Sequence, residues 1–127
     1  MRVVVIGCGL IGRKRLAALD VLDDADLAAT IDPAGEPPAG TRAPHYRSLR
    51  ELTGEAYDAA IIAVPHDAAP ALTAAILADG KPVLVEKPLA TSPMVARKLE
   101  ELADKVPSPS FAGYNYRFLP NVREAMR

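Results

Sequence analysis

The stretch Arg2-Val3-Val4-Val5-Ile6-Gly7-Cys8-Gly9-Leu10-Ile11-Gly12-Arg13-Lys14-Arg15-Leu16-Ala17-Ala18-Leu19-Asp20 decides how this chain is read. Four β-branched apolar residues, Val3 to Ile6, predict a buried strand, the glycines a tight loop, and the Ala/Leu run a helix over roughly residues 13–21. Each glycine has its own steric duty. Gly7 permits the turn off the strand, Gly9 keeps a Cβ away from a pyrophosphate, and Gly12 lets the helix pack closely on the sheet. The amides and dipole of the helix N-terminus then face the anion, and Cys8, Leu10 and Ile11 belong to the same coenzyme-binding loop. Arg13, Lys14 and Arg15 are ill placed for that dipole unless a pyrophosphate reverses its sign; the plainer reading is solvated surface.

A second apolar run, Leu27 to Ile31, ends at Asp32, twenty residues beyond Gly12. A carboxylate at that distance is placed to hydrogen-bond the adenosine ribose hydroxyls, and it repels a 2′-phosphate. NAD is therefore expected in preference to NADP, although Arg42 or Arg47 can still swing in.

The totals bound the rest. At 127 residues the chain is one domain with room for a real core, and 50% apolar, 24% charged residues at net charge −1 describe an ordinary globular protein. Near-neutral charge argues against a nucleic-acid surface, and no apolar run approaches a membrane span or a signal peptide. The single cysteine, Cys8, excludes an internal disulfide and suits a reducing cytoplasm. It lies where backbone matters more than side chain, so no redox role is expected; no metal site is expected either.

Residues 33–44 hold four prolines and two glycines and predict a loop where a helix usually follows the second strand. A short edge strand near 43–46 and a short helix with Ser48 as N-cap and Glu51 at N3 come next. Ala59 to Val64 predicts a strand covered on both faces, and Asp67 the cap of a helix over 68–78 that Gly80 stops. Pro82 to Val85 reads as a strand, Ser92 and Pro93 open a helix to about Lys105, and Ser110 to Gly113 reads as the last strand, followed by a helix from Asn121. Strand and helix alternate throughout. The fold class is α/β: a Rossmann-type doubly wound parallel sheet in three layers.

In such a sheet the carboxyl ends of the strands share one edge, where ligands bind. The glycine loop, Asp32, Pro65 with His66, Glu86-Lys87-Pro88 and Tyr114-Asn115 all fall there. Lys87, between a strand end and a proline, is the candidate catalytic residue, since partial burial would tune it for hydrogen-bonding or proton exchange with a reacting oxygen. A simple ion pair is the competing reading. His66 reads as a ring beside the coenzyme or a loop histidine, His45 has no role, and the alternating Tyr114, Tyr116 and Phe118 read as packing residues. Asn115 is a possible donor to a carboxamide or sugar.

Taken together, V-V-V-I-G-C-G-L-I-G, the T-I-D ending at Asp32, A-A-I-I-A-V-P ending at Pro65, G-K-P-V-L-V-E-K-P-L-A from Gly80 to Ala90 and G-Y-N-Y-R-F from Gly113 resemble the N-terminal domain of the Gfo/Idh/MocA oxidoreductases over essentially the whole chain. The resemblance implies an NAD(P)-dependent enzyme moving hydride between nicotinamide and a sugar, cyclitol or related polyol. By match, Gly7, Gly9, Gly12 and Asp32 hold the adenosine diphosphate half, Pro65 and His66 lie along the coenzyme, Glu86 and Lys87 lie near nicotinamide and substrate, and Asn115 is close by. Where the family often has histidines, this chain has Arg15 and Ala69, so neither position receives a role. The resemblance also implies a second domain that supplies a catalytic histidine, most substrate contacts and the usual dimer interface. Residues 1–120 are then the dinucleotide-binding domain and 121–127 the start of a helix leading to a second domain that this sequence does not contain.

Two readings of function follow: the coenzyme domain of an oxidoreductase, catalytic once a further domain or partner chain completes it, or a non-catalytic module that senses or binds dinucleotide. A bare sheet surface would in addition favour homo-oligomers.

Overall fold

The computed structural model describes residues 1–53 and 56–127. Strands β1 (Arg2–Ile6), β2 (Asp26–Ile31), β3 (His45–Tyr46), β4 (Ala59–Ile62), β5 (Val83–Val85) and β6 (Ser110–Ala112) form one sheet in the order β3-β2-β1-β4-β5-β6. Every pairing is parallel. The helices are α1 (Leu10–Leu19), α2 (Ala69–Ala78), α3 (Pro93–Ala103) and α4 (Pro120–Ala125), with 3-10 turns at Leu49–Glu51 and Asn115–Phe118.

Alternation along β1 divides the core. Val4 and Ile6 point with Ile31 and Ile62 towards Ile76 and Leu77 of α2, whereas Val3 and Val5 point towards Leu19 of α1. With helices on both faces, the central strands read as unbroken apolar runs. Because α2 is packed between the sheet and α3, its sequence is apolar nearly all round. Truncating its fully buried Ile76 to Ala is expected to cost about 2–5 kcal/mol.

The ends of elements follow local chemistry with some departures. Gly80 (φ +67°) closes α2 in a Schellman arrangement, Gly80 N donating to Leu77 O at 2.9 Å and Lys81 N to Ile76 O at 3.2 Å. Ser92 Oγ accepts from Val95 N at 3.3 Å and caps α3. Asp67, however, does not cap α2: its carboxylate accepts only from the adjacent Ala68 N, and Ala68 is the cap position. The expected helix after Ser48 is a single 3-10 turn, in which Glu51 reaches back to Arg47 N at 3.0 Å and Ser48 caps no amide. The first helix starts at Leu10, three residues earlier than the Ala/Leu run suggests, because the glycine loop passes straight into its first turn.

Residues 33–44 carry no helix or strand, as their prolines dictate. They lead to β3, which is held to β2 by Asp32 N donating to Tyr46 O at 2.9 Å and by the buried Thr30 hydroxyl bonded to His45 Nδ1 at 2.8 Å. His45 Nε2 is buried with no partner among the described residues.

Candidate functional site

The first strand ends in a closely packed backbone turn. Gly7 has φ +93°, and a Cβ on it would collide with the Ala63 carbonyl. On Gly12 a Cβ would drive into the Gly7 carbonyl, so α1 can begin here only because both residues lack side chains. Gly9 differs, since a Cβ there would meet nothing within 4 Å. Its side faces open space. The first helical bond is Arg13 N to Gly9 O at 2.9 Å, and no described residue accepts from the amides of Leu10, Ile11 and Gly12. Those donors have no side-chain cap and, at a helix N-terminus with open space beside Gly9, suit an anion such as a pyrophosphate.

Asp32 is brought directly onto this loop. Its Oδ2 accepts from Cys8 N at 2.7 Å and its Oδ1 from Ala34 N at 2.8 Å, so two backbone amides fix the carboxylate beside the glycine loop. Arg13 folds back to donate to Cys8 O at 3.2 Å. The Arg47 guanidinium lies over Gly35, in the turn that begins at Asp32. Beneath the loop the Cys8 thiol is buried, and burial, then the Asp32 charge, push its pKa up, with Thr30 and Arg13 opposing. That environment is the opposite of a reactive thiolate's.

Beyond β1, the carboxyl ends of β4 and β5 carry the rest. Pro65 and His66 are exposed in the turn into α2, whose first bonds run from Ala68 N and Ala69 N to Pro65 O at 3.0 and 3.1 Å. Ala69 is buried in the core. Glu86 follows β5 and is partly buried, paired with Arg15 of α1 at side-chain exposures of 12% for Glu86 and 24% for Arg15. Both Nε and Nη2 of Arg15 meet the same oxygen, Glu86 Oε1. Lys87 comes next, joined to Pro88 by a cis peptide bond. The partial burial expected of Lys87 is not found; its side chain is exposed.

The last part of the rim corrects the sequence reading most. Tyr114, Tyr116 and Phe118 are not packing residues: they stand 57%, 70% and 71% exposed. Asn115 opens a 3-10 turn there and is exposed as well. Arg15 is what residue-by-residue reading missed. Its partner lies 71 residues away, and the only available signal was a cation set where a helix N-terminus disfavours one.

Asp32, the glycine loop, Arg15 of α1 and Glu86, next to Lys87, thus form one chain of contacts, whereas Pro65, His66 and Asn115 stand exposed outside it. A concavity of about 510 Å³ between α1 and residues 38–41 is lined by neither Gly9, Asp32 nor Lys87. Along the rim, Pro65, His66, Lys87 and Asn115 are all exposed. No helix among the described residues is long and apolar enough to cross a membrane.

A parallel sheet with free helix amides over an uncluttered glycine and a carboxylate at the next strand end is the arrangement of a dinucleotide-binding domain. The chain belongs to the Gfo/Idh/MocA oxidoreductase family, with an NAD-binding Rossmann fold, matched over residues 1–114. Myo-inositol dehydrogenase Hyg17 of Streptomyces leeuwenhoekii is 34% identical over 98% of this chain and 39% of its own length. The rhizopine catabolism protein MocA of Rhizobium meliloti is 28% identical over 97% of this chain and 40% of its own. Among solved structures, the WlbA dehydrogenase from Bordetella pertussis, in complex with NADH and UDP-GlcNAcA, superposes with TM-score 0.87 at 25% identity, covering 97% of this chain and 39% of that one. This chain therefore spans about two fifths of the length of the curated relatives it matches.

Proposed function

We propose that this chain holds the coenzyme of an oxidoreductase that transfers hydride between NAD and a carbinol carbon of a sugar, cyclitol or related polyol. The observation that carries it is the free amide set of Leu10, Ile11 and Gly12 over Gly9, with the Asp32 carboxylate anchored beside it. In this reading residues 1–120 carry the dinucleotide site. Gly7 to Gly12, Cys8 included, receive the pyrophosphate, and Asp32 accepts from the adenosine ribose while disfavouring a 2′-phosphate, so NADP binds less well. Pro65, His66 and Asn115 flank the coenzyme, and Glu86 and Lys87 lie at its nicotinamide end.

Bound NAD supplies the carbon that takes up or releases hydride. Lys87 handles the proton of the reacting oxygen: its neutral amine accepts it as carbinol becomes carbonyl, and its ammonium returns it in the reverse direction. The substrate class is supported by the relatives, among them a myo-inositol dehydrogenase and a structure containing UDP-GlcNAcA.

Titration calorimetry with NADH and NADPH tests the core of the proposal. The expected result is binding of both, with NADH at least about tenfold tighter, a difference of about 1.4 kcal/mol. Absence of heat with either coenzyme would overturn it.

A further inference from the structure

The connection from β2 to β3 contains no helix, and this leaves a gap in the layer to which α1 belongs. The connections β1 to β2 and β2 to β3 step in the same direction across the sheet, so right-handed crossovers put both on one face. A helix ordinarily makes such a crossover. Here residues 33–44 cross as a loop, and beside α1 lies the concavity of about 510 Å³, lined by Leu22, Leu27 and Pro38 together with one stripe of α1. Leu22 stands 51% exposed in it.

The stripe is Arg13, Leu16, Ala17 and Asp20, at the i, i+3, i+4, i+7 spacing of one helix face. It has a cation at its N-terminal end, two apolar residues in the middle and an acid at its C-terminal end. A two-fold contact requires that residue i meet residue j and j meet i. Laid antiparallel, a second α1 sets its Asp20 against Arg13 and its Ala17 against Leu16, and the reverse, so the stripe is complementary to itself. Both charges have the wrong sign for their own helix: Arg13 is the fourth residue of α1, and Asp20 is its C-terminal cap. An antiparallel neighbour brings each of them to the helix end that suits it. Neither is in an ion pair among the described residues, and Arg13 is held beside the concavity by its bond to Cys8 O at 3.2 Å. Arg13, Ala17 and Asp20 are all exposed.

We infer that this face of α1, with the concavity beside it, is a docking surface for a second copy of this chain, the two α1 helices packing antiparallel about an axis between Leu16 and Ala17. Neither Gly9 nor Asp32 lines the surface, so the inference stands apart from the coenzyme reading.

Sedimentation equilibrium of the full chain from about 1 μM to about 1 mM is expected to show monomer and dimer with a dissociation constant of about 10–100 μM, since one helix pair lies at the small end of specific interfaces. Arg13→Glu and Asp20→Arg each bring like charges together at both ends of the pair and are expected to weaken it at least about tenfold. Mixed in equal amounts, or combined in one chain, the two substitutions restore opposite charges at both ends, and the dimer is expected to return to within about threefold of its original strength. Ala17→Arg, at the exposed middle of the stripe, is expected to abolish the dimer while leaving the circular dichroism of the folded chain unchanged. A monomer throughout the range would overturn the inference and assign the concavity to another occupant. A dimer that neither single charge substitution weakens, or that mixing the two does not restore, would overturn it as well.

Discussion

The two ends of the candidate groove are built on different principles. On the β2 side, the glycine loop and Asp32 are fixed by the chain's own backbone: Cys8 N and Ala34 N hold the carboxylate, and Gly12 is pressed against the Gly7 carbonyl. On the β4 to β6 side, His66, Lys87 and Asn115 stand exposed on turns, while Glu86 is clamped by Arg15. One end is preorganised by backbone contacts alone. In the proposed reading the other end presents Lys87 and its neighbours on the surface where chemistry and substrate are accommodated.

Substitutions should therefore separate along the groove. The largest effect is expected at Gly12→Ala, which forces a Cβ into the Gly7 carbonyl and should cost about 3 kcal/mol or more in denaturant unfolding. Gly9→Ala is its control: with open space around the new methyl, stability should change by less than about 1 kcal/mol while NADH affinity falls about tenfold. If both variants lost the same stability, the distinction between packing and ligand-facing glycines would fail. Asp32→Ala should cost about 1–3 kcal/mol by stranding the Cys8 amide, and should weaken ADP and NADH alike. Lys87→Ala, at an exposed position, should leave stability within about 0.5 kcal/mol and NADH affinity nearly intact, while abolishing any NAD-linked polyol turnover followed by nicotinamide absorbance.

The smallest effect concerns Cys8. Burial raises its thiol above the ordinary 9.0, so the unfolded chain loses this proton first. Its contribution to stability is complete below pH 9.0 and declines as pH rises through the folded value. Thiol labelling at neutral pH should accordingly be slow in the folded chain and fast in denaturant; rapid labelling of folded protein would contradict the buried loop.

The preorganised end was also the legible one. The Val3 to Ile6 strand, the need for glycine at positions 7 and 12 and the carboxylate at Asp32 beside the loop are short-range patterns whose causes lie within a few residues or in a fixed spacing. The prolines of residues 33–44 excluded a helix for the same reason. What could not be read locally was decided by tertiary placement. Arg15 looked like one of three surface cations until α1 carried it to Glu86. Tyr114, Tyr116 and Phe118 alternate like strand residues, yet they occupy a 3-10 turn and the residues flanking it, where nothing described covers them. The Ser48/Glu51 pattern met the sequence rule for a capped helix, but the segment is too short to propagate beyond one turn.

The anchoring of Asp32 has a consequence for how such a domain changes partners over evolution or in the laboratory. The side chain that would have to be replaced to admit a phosphorylated ribose is also the acceptor that holds the Cys8 amide and the following turn. Swapping the charge alone would loosen the phosphate cradle before any new attraction was gained. A successful conversion must replace the tether as well, through a neutral acceptor of similar reach such as Asn or Ser at the same position, together with a cation recruited from the neighbouring Arg47.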